Sequence, residues 1–204
     1  MVTSARLARA LKSLKRVTIH GPWTRAVRFH HLLGPPPGSP RTDPPQPLWG
    51  GGAMLHGARF TPKGSFSSIY LASDPITALM EIVSVFDHPN WARSSPPRAV
   101  PWTLFTVDGV VANLIDLADA ETQELLATNE QELSGIWLTV DKPVTQMLGQ
   151  AAYLDGSIAG IRYRSVKKHP DGFCMVIFED RLGLSSHNYL EVYDPVGRLD
   201  QRLP

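Results

Sequence analysis

Seven of the fourteen residues from 34 to 47 (GPPPGSPRTDPPQP) are proline. Proline has no N–H to give to a sheet ladder and breaks a helix interior, so this stretch is a polyproline-type loop. Regular structure must therefore be assembled from the chain on either side of it. The stretch reads as an exposed insertion; a ligand for a proline-binding partner is the other reading its composition allows. It holds seven of the 18 prolines, so the excess over the usual ~5% is largely local.

The 204 residues fit one domain. A chain of this length buries roughly 70% of its unfolded surface and needs no staple to hold a core. The single cysteine, Cys174, excludes an intrachain disulfide and agrees with a reducing compartment. No apolar run reaches the ~18 residues of a membrane-spanning helix. The net charge of +1 is unevenly spread. Up to Asp43 there are eight basic residues and one acid; beyond it, twelve basic and eighteen acidic. Such a split marks either a basic arm for nucleic acid or membrane, or an exposed basic helix packing near an acidic body.

Leu7, Leu11 and Leu14 recur at helical spacing, so residues 1–20 are expected to contain a basic amphipathic helix, followed by one domain over 21–204. No apolar h-region marks a secretory signal, and the cytoplasm is the expected location. Strands are expected within 22–33, 67–73, 158–166, 172–180 and 188–194. A hairpin turn is expected at Asp108-Gly109. Residues 118–154 read as mostly helical. The segment SDPITALMEIVSVF opens with a helix start, Asp74 as cap and Pro75 at the first position. Its expected core stripe is Ile76, Leu79, Met80 and Val83, with Thr77, Glu81 and Ser84 on another face. Strands and helices mix without βαβ alternation, which gives an α+β domain: mixed or antiparallel sheets with flanking helices.

The usual site motifs are absent. There is no phosphate-binding P-loop, no dinucleotide G-x-G-x-x-G, no H-E-x-x-H and no G-x-S-x-G. Gly50-Gly51-Gly52 reads as a loop. His30-His31 are adjacent and would point to opposite faces of a strand, so no metal site is expected. Cys174, in an apolar run, reads as inert core.

What remains is a spaced set. Arg59 lies in a Gly/Pro-punctuated turn (GARFTPKG), Tyr70 in the strand SSIYLAS, Glu81 on the capped helix and Ser165 at the end of GIRYRSV. Arg25 lies earlier, in WTRAV. The segments Gly57–Gly64, Tyr70-Leu71-Ala72, Ala78-Leu79-Met80-Glu81 and Gly160–Ser165 together resemble the RES family, named for its Arg, Glu and Ser. The likeness runs from about residue 22 to 194 and is most specific over 57–86. For the family's early arginine, Trp23-Thr24-Arg25 is the best match and Arg28 the alternative. This chain departs from the family at Phe60 and Thr61, in its long proline-rich stretch and in residues 1–20.

The resemblance implies an ADP-ribosyltransferase-like fold and a bacterial toxin that cleaves the nicotinamide–ribose bond of NAD. NAD is then the substrate, with water, phosphate or a protein side chain as acceptor and no cofactor. It also implies an Xre-like helix-turn-helix antitoxin as partner, so that this chain itself need not contact nucleic acid. The chemistry suits the residues. Bond breaking leaves a ribosyl cation that one carboxylate, Glu81, can stabilise. The leaving nicotinamide is already cationic in NAD and needs no general acid. Arg25 and Arg59 can hold the pyrophosphate through forked donors. Tyr70 can stack on nicotinamide or ribose, and Ser165 can orient Glu81. A nucleic-acid-binding role for the basic N-terminus is the reading from a different class.

Overall fold

The computed structural model describes residues 4–29, 32, 45–86, 101–167, 171–199 and 201–204. His30-His31 and most of the proline-rich stretch lie outside them. The chain is an α+β domain. Its strands are β1 (Val17–His20), β2 (Trp23–Arg28), β3 (Ser68–Ala72), β4 (Trp102–Asp116), β5 (Gly160–Arg164), β6 (Phe173–Phe178), β7 (Tyr189–Val192) and β8 (Arg202–Leu203). They form one eight-stranded sheet ordered β2-β3-β6-β5-β4-β7-β8, with β1 paired to β4. β2 pairs with β4 as well as with β3, so β2, β3, β6, β5 and β4 close into a ring. Only the β4–β5 pair is parallel, and the helices between those strands make its crossover.

β4 is the strand that closes the ring. Its first half pairs with β2, its middle with β1 and β7, and its end with β5. The hairpin expected at Asp108-Gly109 is not there; β4 runs straight through it. Asp108 does turn its carboxylate onto the Gly109 N–H (2.8 Å). Gly109, however, serves close approach rather than a turn, because a Cβ there would run into the Tyr189 carbonyl of β7.

Six α-helices are described. α1 (Ser4–Ser13) forms as its leucine spacing predicts, and Leu7, Leu11 and Leu14 are all buried. Arg16 caps it by donating to the Leu11 carbonyl (2.9 Å) and reaches Asp155 at 3.7 Å, at the end of α6 (Val144–Asp155). The basic segment is thus docked on the body, and residues 17–20 continue it into the sheet as β1. Gly50-Gly52, expected as loop, instead leads into a short helix, α2 (Gly51–His56). α4 (Ala120–Leu125) and α5 (Glu130–Ser134) are capped by Asp119 and Asn129, as the helical reading of 118–154 requires.

α3 (Pro75–Phe86) starts where the sequence predicts. Asp74 accepts from the N–H groups of Ile76 (3.0 Å) and Thr77 (2.9 Å) and from the Thr77 hydroxyl (2.6 Å). Its buried face is not the expected one. Ile76, Leu79 and Met80 are 61%, 49% and 40% exposed, while Thr77, Ala78 and Ile82 are buried. The helix lies against β2, β3 and β4, and small residues, Ala78 here and Ala72 on β3, meet in the core at this face. Thr77 can be buried because Asp74 satisfies its hydroxyl.

The two faces of the sheet build two cores. On one, Trp23, Ile69, Leu71, Val107, Met175 and Ile177 pack together. On the other, Ala72, Ile161, Tyr163, Cys174, Val176 and Phe178 meet the helices. No helix among the described residues is long and apolar enough to cross a membrane.

Candidate active site

The turn that carries Arg59 is closed by paired hydrogen bonds, Ala58 N–H to Thr61 O (2.8 Å) and Thr61 N–H to Ala58 O (3.2 Å). Gly57 and Gly64 flank it at φ +79° and +78°, a conformation that favours glycine. Phe60 is fully buried, its ring 4.7 Å from that of Tyr163. Arg59 therefore points the other way, and its Nη1 donates to the carbonyls of Leu133 (2.9 Å) and Gly135 (3.1 Å) at the C-terminal end of α5. These are carbonyls that a helix leaves unpaired, so the guanidinium is fixed by one nitrogen. Its Nε and Nη2 have no partner among the described residues.

Tyr70 stands on β3, its ring half-buried against the helix-side core. Its hydroxyl accepts the Phe60 N–H (3.0 Å) and shares a hydrogen bond with the Thr61 hydroxyl (3.0 Å). Thr61 in turn shares a 2.6 Å hydrogen bond with Ser68. Burial pushes the Tyr70 phenol up to about 12, against the opposing pull of these hydrogen bonds and of Arg59.

Glu81 projects from α3 toward the end of β5. There the fully buried Ser165 donates its hydroxyl to Glu81 Oε1 at 2.5 Å. Ser165 Oγ itself accepts the Lys167 N–H (3.3 Å), and the Ser165 N–H is held by the Gly172 carbonyl (2.8 Å). The hydroxyl is thus aimed from behind, and it presents one carboxylate oxygen in a fixed direction. Burial also pushes the Tyr163 phenol well up, with Cys174, Tyr70 and Glu81 adding to it and Arg59 opposing. The Cys174 thiol is raised by burial and by Glu81, which agrees with its reading as inert core. Glu81 and Ser165 are thus in direct contact, Tyr70 is bonded to the turn that carries Arg59, and Tyr163 and Cys174 lie within electrostatic reach of both Glu81 and Arg59.

Arg25 is not among them. Alternation along β2 sets Trp23, Arg25 and Val27 on one face and Thr24, Ala26 and Arg28 on the other. Trp23 belongs to the core opposite the helices. Arg25 is buried on that side, donating Nη2 to the Trp49 carbonyl (2.7 Å), with Nε and Nη1 unpartnered among the described residues. Burial lowers its guanidinium to about 10, and the Glu179 carboxylate works against that fall. Thr24 stands opposite Ala72, two residues from Tyr70, so it is Arg28 whose side of β2 faces the site.

The sequence reading missed Thr61, Ser68 and Tyr163. Alternation on β3 already places Ser68 beside Tyr70, and the same parity on β5 puts Tyr163 beside Ser165. No pattern along the chain shows that Thr61 meets both hydroxyls. The depression of about 390 Å³ lined by Asp108, Glu191, Tyr193 and Asp194 includes none of the site residues. Among the described residues, no cluster of His, Cys, Asp and Glu is placed to hold a metal ion.

The sequence matches the family described as RES domain over residues 16–194. No curated protein matches it. Among solved structures, the fold is similar to a chain in the crystal structure of the M. tuberculosis MbcT–MbcA toxin–antitoxin complex. That match has a TM-score of 0.68 at 18% identity and covers 93% of this chain and 90% of the other.

Proposed function

The chain belongs to the RES-domain family, and from that premise we propose that it is the toxin of a toxin–antitoxin pair and cleaves the nicotinamide–ribose bond of NAD. The observation that carries the reading is the 2.5 Å hydrogen bond from Ser165 to Glu81. It aims a carboxylate oxygen into a site that also holds an arginine with free donors and a tyrosine ring.

In this reading the C–N bond to nicotinamide breaks, and nicotinamide leaves neutral with the bonding pair. The ribose C1′ becomes an oxocarbenium-like cation beside Glu81, whose negative charge stabilises it. Ser165 is a positioning donor and not a nucleophile, because its hydroxyl proton is given to Glu81 Oε1, the carboxylate that it orients. Arg59, held by α5 through one nitrogen, offers its remaining donors to the pyrophosphate, with Arg28 on β2 as second cation. Tyr70 lies where its ring can support the planar leaving group. Water or phosphate then attacks C1′, in the cytoplasm, where NAD is available.

The partner in this reading is a cognate antitoxin with an Xre-like helix-turn-helix region. The complex in which the similar fold occurs supports it. So does the apolar strip of Ile76, Leu79 and Met80 left exposed on the helix that bears Glu81.

The test is incubation with NAD, with and without phosphate, following nicotinamide release. Expected is turnover that is lost in Glu81→Ala; phosphate dependence then separates phosphorolysis from hydrolysis. Undiminished release by Glu81→Ala, or none by the wild type, overturns the reading. Label from NAD appearing on a macromolecule instead identifies a transferase.

A further inference from the structure

Thr61 is fully buried beside Ser68, itself 2% exposed, and both hydroxyls are committed to one chain of hydrogen bonds. From Ser68 Oγ the chain passes to Thr61 Oγ1 (2.6 Å), to the Tyr70 hydroxyl (3.0 Å), and ends on the Phe60 N–H (3.0 Å). Phe60 N–H can only donate, so the Tyr70 oxygen is an acceptor at that end. Its own proton is then available to Thr61. Buried hydroxyls are costly unless paired, and Ser68 also acts directly on the Tyr70 hydroxyl.

Two links of the chain matter. One is the phenol of Tyr70; the other is the backbone of the residue next to Arg59. The same turn is gripped from α6, where Gln146 donates to the Ala58 carbonyl (3.0 Å). Resting on the function proposed above, we infer that Thr61, backed by Ser68, is a positioning residue: its hydroxyl locks the Tyr70 ring to the turn that presents Arg59. Leaving-group support and pyrophosphate binding are thereby held in register with Glu81. The hydroxyl is the functional part of Thr61, and its methyl group is packing.

Thr61→Val keeps the shape and removes the hydroxyl; Thr61→Ser keeps the hydroxyl and removes the methyl. In the full-length chain, Thr61→Val is expected to lower kcat/KM for nicotinamide release about tenfold, the worth of one buried hydrogen bond of ordinary strength. Most of that loss falls in kcat, and Thr61→Ser restores it to within about twofold. An arm that does not need turnover uses tyrosine labelled with ¹³C at the ring carbon bearing the hydroxyl. The Tyr70 signal moves in Thr61→Val and returns in Thr61→Ser. If Thr61→Val does not fold, Ser68→Ala takes its place, with a several-fold loss of kcat/KM and the same displaced signal.

An unmoved Tyr70 signal, or equal impairment of the Val and Ser variants, overturns the inference. Wild-type kinetics in Thr61→Val together with a dead Glu81→Ala overturns it alone and leaves the NAD reading standing. Full turnover by Glu81→Ala removes the NAD reading instead, while the labelled tyrosine still decides whether Thr61 holds Tyr70.

Discussion

Gly149 lies so close to Phe60 that a Cβ at position 149 would overlap the Phe60 carbonyl oxygen and stand 2.7 Å from its carbon. Helix α6 thus rests directly on the turn that presents Arg59, with Gln146 one turn earlier donating to Ala58 O. Gly149→Ala must push helix and turn apart. Overpacking of this kind costs about 1–3 kcal/mol, and backbone against backbone puts it at the upper end. A melting temperature lower by roughly 4–12 °C is expected, accompanied by weaker NAD binding. Equal stability of the two proteins would contradict the close packing.

Ser165 holds Glu81 from a position 84 residues later in the chain. Ser165→Ala takes away the hydroxyl that aims Glu81 Oε1. Misplacement of a catalytic group by about 1 Å can cost ~100-fold, and the loss should appear in kcat, with KM little changed. Glu81→Gln, which removes the charge itself, should cost about 100- to 1,000-fold. Single-turnover nicotinamide release measures both.

Arg25 and Arg28 should separate cleanly. Arg28→Ala removes a cation on the site face and should raise KM for NAD roughly 10- to 100-fold, the worth of a charged hydrogen bond. Arg25→Ala removes a buried chain, the donor to Trp49 O and the charge that faces Glu179. It should destabilise by about 3 kcal/mol and leave KM alone in the protein that remains folded. Thermal melts beside steady-state kinetics distinguish the two.

Tyr70 gives the fold a pH dependence of definite sign. Its phenol is held at about 12 in the folded chain, above the ordinary tyrosine value of about 10. Between those values the folded state binds more protons than the unfolded state, so this stabilising contribution is complete below pH ~10 and falls as pH rises through ~12. Arg25, lowered to about 10, acts in the opposite direction over its own window. The comparison of wild type with Tyr70→Phe isolates the tyrosine. Denaturant midpoints from pH 8 to 11.5 should fall less steeply in Tyr70→Phe.

Much of this was legible in the sequence because it is local chemistry. Asp74 and Pro75 announce the start of α3, and glycines bracket the Arg59 turn. Apolar runs mark β3 and β6, and alternation marks β5. The errors came where the answer depends on a distant neighbour. α3 is apolar on more than one side, so hydropathy favoured Ile76, Leu79 and Met80 for the core. The sheet selected the face with small residues, Thr77 and Ala78. Asp108-Gly109 has the composition of a turn, but the glycine is there to let β7 pass. Arg25 and Arg28 differ by an odd number of positions, so a strand sets them on opposite faces. Only pairing to Ala72 tells which face holds Tyr70.

Closure of the strand ring also governs when a chain under synthesis can first bring Glu81 and Ser165 together. β3 and β5 meet only through β6, residues 173–178. A ribosome that has delivered Glu81 has 84 more residues to add before Ser165 exists. At about 5–20 residues per second that interval is roughly 4–17 seconds, and β6 emerges later still. The growing polypeptide therefore carries its carboxylate well before the hydroxyl that aims it. Delivery of β6, rather than translation of the helix that bears Glu81, completes the arrangement.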